Sequence, residues 1–215
     1  MRIALAVLAG LTTSACTQLP YTGGARPVAP AQIKLDDHWL RAAPTPVVLQ
    51  QQDADCGLAA LAMVAGAWGH NWSVTDLARA LPTSGGGVKL GVLRDYARSH
   101  GLDAYAVAAT PHDLEHELGE GRPVLLGLML PFDRGHNLSH YEVAIAFEPG
   151  TGSVVTIDPA TGRWMKRSRA VLDVEWKAAG YPALVVVGER KLNVLASPRW
   201  PSRSSTTPRS SSAST

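Results

Sequence analysis

The stretch Gln50-Gln51-Gln52-Asp53-Ala54-Asp55-Cys56-Gly57-Leu58-Ala59-Ala60-Leu61-Ala62-Met63 decides how the chain is read. From Gly57 to Trp68 the residues are apolar on every side, which predicts a helix buried all round rather than an amphipathic surface helix. Cys56 stands immediately before it. A helix N-terminus offers unpaired N–H groups and a positive dipole end, and both favour a thiolate over a thiol. Such a position combined with a histidine partner lowers a thiol pKa far below its ordinary value of about 8.5.

Downstream, Ser73 with Asp76 reads as a capping box opening a helix that stops before Pro82. The glycines 85–87 are followed by Val88-Lys89-Leu90, so they do not form a phosphate-cradling loop and read as a flexible loop near a cleft. Leu90–His100 predicts a third helix and Asp103–Ala108 a strand. Thr110 caps a further helix that runs to Gly119. The chain then becomes β-rich. Val124–Leu130 is a continuous apolar run, expected as a strand covered on both faces. His140–Phe147 and Ser153–Asp158 flank Glu148-Pro149-Gly150-Thr151-Gly152 and predict a hairpin. A strand near Trp164–Lys166, a helix through Val171–Trp176 and a strand Ala183–Val187 complete an α+β domain, with N-terminal helices packed on a C-terminal antiparallel sheet.

A nucleophilic cysteine needs a base, and the base needs an orienting carboxylate. The midpoint of positions 140 and 158 is 149, inside the predicted turn, so the hairpin sets His140 opposite Asp158. With the turn centred at 150 the two are diagonal neighbours instead. Either way the pleat sends both side chains to one face. His136 lies beyond the end of that pairing. An oxyanion formed at a carbonyl needs two donors: the Cys56 N–H supplies one, and an amide of Gln50, Gln51 or Gln52 the other. Spacing alone does not choose among the three.

These residues resemble the bacteriocin-processing, double-glycine leader peptidases, a papain-like cysteine peptidase family. The resemblance is carried by Gln50 six positions before Cys56, by Asp55-Cys56-Gly57-x-Ala59-x-Leu61-x-Met63, by Ser139-His140-Tyr141, and by Ile157-Asp158-Pro159-Ala160-x-Gly162. It spans residues 45–190 and implies a papain-like fold with a Cys56–His140–Asp158 triad. It also selects Gln50 as the oxyanion donor and implies a peptide or protein substrate, with no cofactor and no metal. Well-known members are domains of ATP-driven transporters. The present sequence carries no nucleotide motif and resembles a free-standing, exported relative. Two other enzymatic readings compete with this one. His112-Asp113-Leu114-Glu115-His116 matches an inverted zinc-peptidase motif, although the helix is short and no companion ligand helix is evident. A cell-wall endopeptidase of the NlpC type also places a cysteine after Asp, but with Ser-Gly following, where this chain has Gly57-Leu58. The non-enzyme alternative is an inert peptide-binding module on the same fold.

The ends read differently from the middle. Arg2, the apolar run Ile3–Leu11 and Thr12-Thr13-Ser14-Ala15-Cys16 form an export signal over residues 1–15, with Cys16 expected as a lipidated first residue. Residues 16–44, rich in Pro and Gly, are expected as a tether to a membrane. Thr17 after Cys16 points to the outer membrane, with the domain on the periplasmic side of a bacterial cell envelope. Residues 197–215, of which 17 are Ser, Thr, Pro or Arg, are expected as a disordered tail. The 215 residues contain two cysteines, which excludes a disulfide framework and a four-cysteine zinc site. The net charge of +2 is carried by the termini, so a nucleic-acid footprint is not expected.

Overall fold

A computed structural model describes residues 20–34, 36–82 and 86–189. Helix α2 (Cys56–Gly66) has every residue from Cys56 to Ala65 buried, as its all-apolar sequence requires. Helices α3 (Val74–Ala80) and α4 (Leu90–Ser99) pack beside it. The Ser73 hydroxyl accepts the Asp76 N–H and closes the predicted cap. Strand β3 (Asp103–Ala108) follows, then α5 (Pro111–Gly119), whose Thr110–Asp113 capping box is complete.

The β-rich half comprises β4 (Val124–Pro131), β5 (Asn137–Glu148), β6 (Ser153–Ile157), β7 (Trp164–Arg167) and β8 (Pro182–Val187), with α6 (Arg169–Ala178) before the last strand. Together with two short upstream strands, β1 (Arg26–Pro27) and β2 (Leu40–Arg41), they form an antiparallel sheet ordered β1-β7-β6-β5-β4-β8-β3, with β2 pairing β5. Both faces are covered. Leu125, Val143, Val155 and Leu184 face a core shared with α2, α3 and α4, whereas Leu126, Leu128, Ala144 and Val154 face Leu114 and Leu118 of α5 and Leu172 and Trp176 of α6. The unbroken apolar run of β4 reflects burial on both sides.

The stretch read as a tether is, from Pro20 to Pro44, part of the fold. Arg26 and Pro27 pair with Lys166 and Met165, and Leu40 and Arg41 pair with Phe147 and Ala146. Short α1 (Pro30–Lys34) buries Ile33, and Trp39 enters the same core. The prolines and glycines that suggested a linker instead turn the chain between these docking points, and scattered apolar residues supply the anchorage. Residues 1–19 and 190–215, including Cys16 and the Ser/Arg-rich tail, lie outside the described residues.

Candidate active site

Two strands of unequal length create the site. β5 pairs with β6 only as far as Val143↔Ile157, while β5 itself begins at Asn137. Residues 137–142 therefore keep β4 on one side and lack β6 on the other. The N-terminus of α2 lies beside this segment, and Cys56 accepts hydrogen bonds at sulfur from the backbone N–H groups of Tyr141 and Gly57. Gly57 permits that approach: a Cβ there would stand 3.0 Å from the Tyr141 ring.

A register shift between Ala144 and Ala146 moves the hairpin by one residue between its turn and the site. Near the site the pairing sets Asp158 diagonal to His140 rather than opposite it. His140 Nε2 lies 2.8 Å from Asp158 Oδ1, and the imidazole also hydrogen-bonds the Cys56 thiol. With Nε2 taken by the carboxylate, the sulfur falls to Nδ1. Asp158 is fixed in turn: its Oδ1 accepts the Ala160 N–H at 2.9 Å, its Oδ2 accepts the Thr161 hydroxyl at 2.7 Å, and its carbonyl accepts the Gly162 N–H at 2.7 Å. Gly162, with φ of 69°, closes that turn in the left-handed region.

Cys56 and His140 are 7% and 6% exposed. Burial pushes the thiol up, but the hydrogen bond and positive charge of His140 and the two backbone N–H groups outweigh it and hold Cys56 below its ordinary value. Burial likewise disfavours the imidazolium. The bonds to Asp158 and Cys56, with the negative charges of Glu142 and Cys56, override this and push His140 up to about 10. Burial would raise Asp158, and its bonds to His140 and Thr161 keep it below the usual carboxylate range. All three directions describe a thiolate–imidazolium pair steadied by a carboxylate.

The Gln50 side chain lies half-buried upstream, and its Oε1 is buried without a hydrogen-bond partner. Its backbone N–H donates to the carbonyl of Pro159, next to Asp158, at 2.9 Å. Gly87, the last residue of the predicted glycine loop 85–87, comes close to the segment before Cys56: a Cβ there would lie 3.2 Å from the Ala54 carbonyl. Residues 83–85 are outside the described residues. His112 and His116 sit on α5, and neither belongs to a group of potential metal-binding side chains among the described residues. Among the described residues, the group of three potential metal-binding side chains is His140, Glu142 and Asp158. Those side chains already have partners, since Asp158 holds the imidazole and Arg167 grips both oxygens of Glu142.

Sequence reasoning missed Glu142, Arg167 and Glu175, which form a buried ionic cluster behind His140. The available signal was a glutamate standing directly before the apolar run Val143–Phe147 of β5, two positions from His140 and therefore on the same face.

A cysteine at a buried helix start, a strand histidine and a turn aspartate, carried on an antiparallel sheet, define a papain-like cysteine peptidase site. The profile of the peptidase C39 family matches residues 44–185, and the chain belongs to that family. Over 130 residues it is 32% identical to the microcin-H47 secretion/processing ATP-binding protein MchF of Escherichia coli, which covers 60% of this chain and only 16% of MchF. Three solved structures share the fold. A double-glycine-motif protease from an AMS/PCAT transporter, in complex with the leader peptide, is 20% identical with a TM-score of 0.55, covering 69% of this chain and 95% of that one. The peptidase domain of Streptococcus ComA, a bifunctional ABC transporter, is 22% identical with a TM-score of 0.56, covering 68% and 100%. A C39-like peptidase from Bacillus anthracis is 19% identical with a TM-score of 0.58, covering 72% and 100%.

Proposed function

We propose that this chain is an exported, lipid-anchored cysteine peptidase that hydrolyses peptide bonds through Cys56, His140 and Asp158, with Gln50 and the Cys56 N–H binding the oxyanion. The observation that supports it best is the shared imidazole, with Asp158 at 2.8 Å on Nε2 and the Cys56 sulfur as its other partner. His140 Nδ1 takes the thiol proton and holds the thiolate as an ion pair. The sulfur attacks the amide carbonyl carbon, and charge builds on the carbonyl oxygen between the Cys56 N–H and the Gln50 amide. His140 then protonates the departing amine, leaving a thioester. Water, deprotonated by the same imidazole, releases the acid and restores the thiol.

The anchored location rests on the apolar run Ile3–Leu11 and on Cys16, which fit an export signal followed by a lipidated cysteine on the periplasmic side of the envelope, in the outer membrane. The substrate on this reading is a peptide or an envelope protein. Incubating an exported proteome with wild type and with Cys56→Ala, then mapping new termini, tests the activity: termini made by wild type alone support it, and identical maps refute it. Labelling cells with a radioactive fatty acid tests the anchor, because Cys16→Ala must abolish incorporation.

A further inference from the structure

β5 carries His140 and Glu142 two residues apart, so the pleat turns both to one face. Glu142 is 2% exposed. Arg167 of β7 forks onto it, with Nη1 at 2.7 Å from Oε2 and Nη2 at 2.9 Å from Oε1, and the Thr156 hydroxyl donates to Oε2 as well. The Arg167 Nε turns to Glu175 Oε2 of α6 at 2.7 Å, and the Tyr21 hydroxyl donates to the other oxygen of Glu175. Arg167 and Glu175 are each 1% exposed. Two buried carboxylates thus share one guanidinium, and the cluster holds one negative charge in excess.

That excess stands beside the imidazole. Ligand atoms of His140, Glu142 and Asp158 all lie within 4.8 Å of one another. The charged groups packed around His140 are Cys56 from α2, Asp158 from the turn after β6 and Glu142 from its own strand, with Arg167 of β7 and Glu175 of α6 behind Glu142. Asp158 orients the ring through Nε2 and keeps 14% of its side chain exposed. Glu142 is cut off from water, so its field reaches the ring with little screening.

We propose that Glu142, clamped by Arg167, is a positioning residue that keeps His140 protonated beside the Cys56 sulfur. This rests on the thiolate–imidazolium reading given under Proposed function. Tyr21 closes the cluster from ahead of residues 44–185, so the N-terminal segment is tied to the electrostatics of the site.

The test is the pH dependence of Cys56 alkylation by iodoacetamide in the full chain, with labelled peptides mapped to separate Cys56 from Cys16, alongside NMR titration of His140. Glu142→Gln removes one charge and leaves Arg167 paired one to one with Glu175. It should move the His140 titration, and with it the alkaline limb of the site, down by about one pH unit, while labelling at about pH 5.5, where the imidazole stays protonated in both proteins, is not slowed. Glu142→Asp, which keeps the charge, should restore the wild-type profile. A cluster that only holds the fold together would lower the melting temperature and leave the profile in place, which overturns the proposal. If Glu142→Gln does not fold, Glu175→Gln takes its place with a smaller shift of the same sign. On wild type alone, a His140 titration near the ordinary 6.5 also overturns it. Wild-type Cys56 that resists labelling until about pH 8 refutes the peptidase reading itself. Early wild-type labelling with an unshifted Glu142→Gln profile refutes this inference only.

Discussion

The Gln50 backbone N–H donates to the Pro159 carbonyl at 2.9 Å, joining the extended segment ahead of Cys56 to the turn that carries Asp158. The segment before the nucleophile and the loop after β6 are thereby held as one unit. Displacing either should disturb both the charge on the imidazole and the donor facing the carbonyl.

Gln50→Ala should lower kcat about 10²–10³-fold with little change in KM, the cost of losing one oxyanion donor. The rate of Cys56 alkylation should stay unchanged, since the thiolate takes its hydrogen bonds from His140, Tyr141 and Gly57 and not from Gln50. Steady-state kinetics on a substrate found by terminus mapping, beside an alkylation assay, separates the two effects.

Asp158→Asn should lower kcat by roughly 10⁴-fold, because an amide no longer stabilises the imidazolium or fixes its tautomer. The turn loses the carboxylate that accepts from Ala160 and Thr161, so the melting temperature should fall as well. Comparing kcat with the melting curve of the same preparation checks both.

Activity should form a broad plateau across neutrality. Its acid limb lies below the ordinary thiol range because Cys56 is held down, and its alkaline limb lies near 10, where His140 loses its proton. The folded histidine binds its proton more tightly than the unfolded one. Its contribution to stability is therefore complete below about pH 6.5 and is lost as pH rises towards 10. Asp158 has the opposite sign: its contribution is present above the ordinary carboxylate value and is lost as pH falls. Rate profiles and melting temperatures across the pH range test these limbs.

Gly57→Ala should cost about 1–3 kcal/mol and reduce activity, because the added methyl meets the Tyr141 ring and pushes the start of α2 from β5. Thermal unfolding measures the first effect and kcat/KM the second.

Much of this site is written in local pattern. The all-apolar stretch after Cys56 announces a buried helix, and a five-residue turn between two strands brings positions 140 and 158 together by arithmetic. The register shift between Ala144 and Ala146 chooses between opposite and diagonal placement, and it depends on packing that no spacing encodes. The Arg167 cluster is invisible for a similar reason: Tyr21, Glu142, Arg167 and Glu175 come from four separate segments and meet only in the folded molecule. Pro20–Pro44 misled because proline and glycine mark turns as readily as linkers, while Ile33 and Trp39, which decide the matter, are isolated in sequence.

The central claim is a sulfur ionised by His140, and alkylation of Cys56 at about pH 5.5 in wild type and in His140→Ala tests it most directly. Rapid labelling of wild type and slow, thiol-like labelling of the variant is the result expected. Equal rates in the two proteins would contradict it.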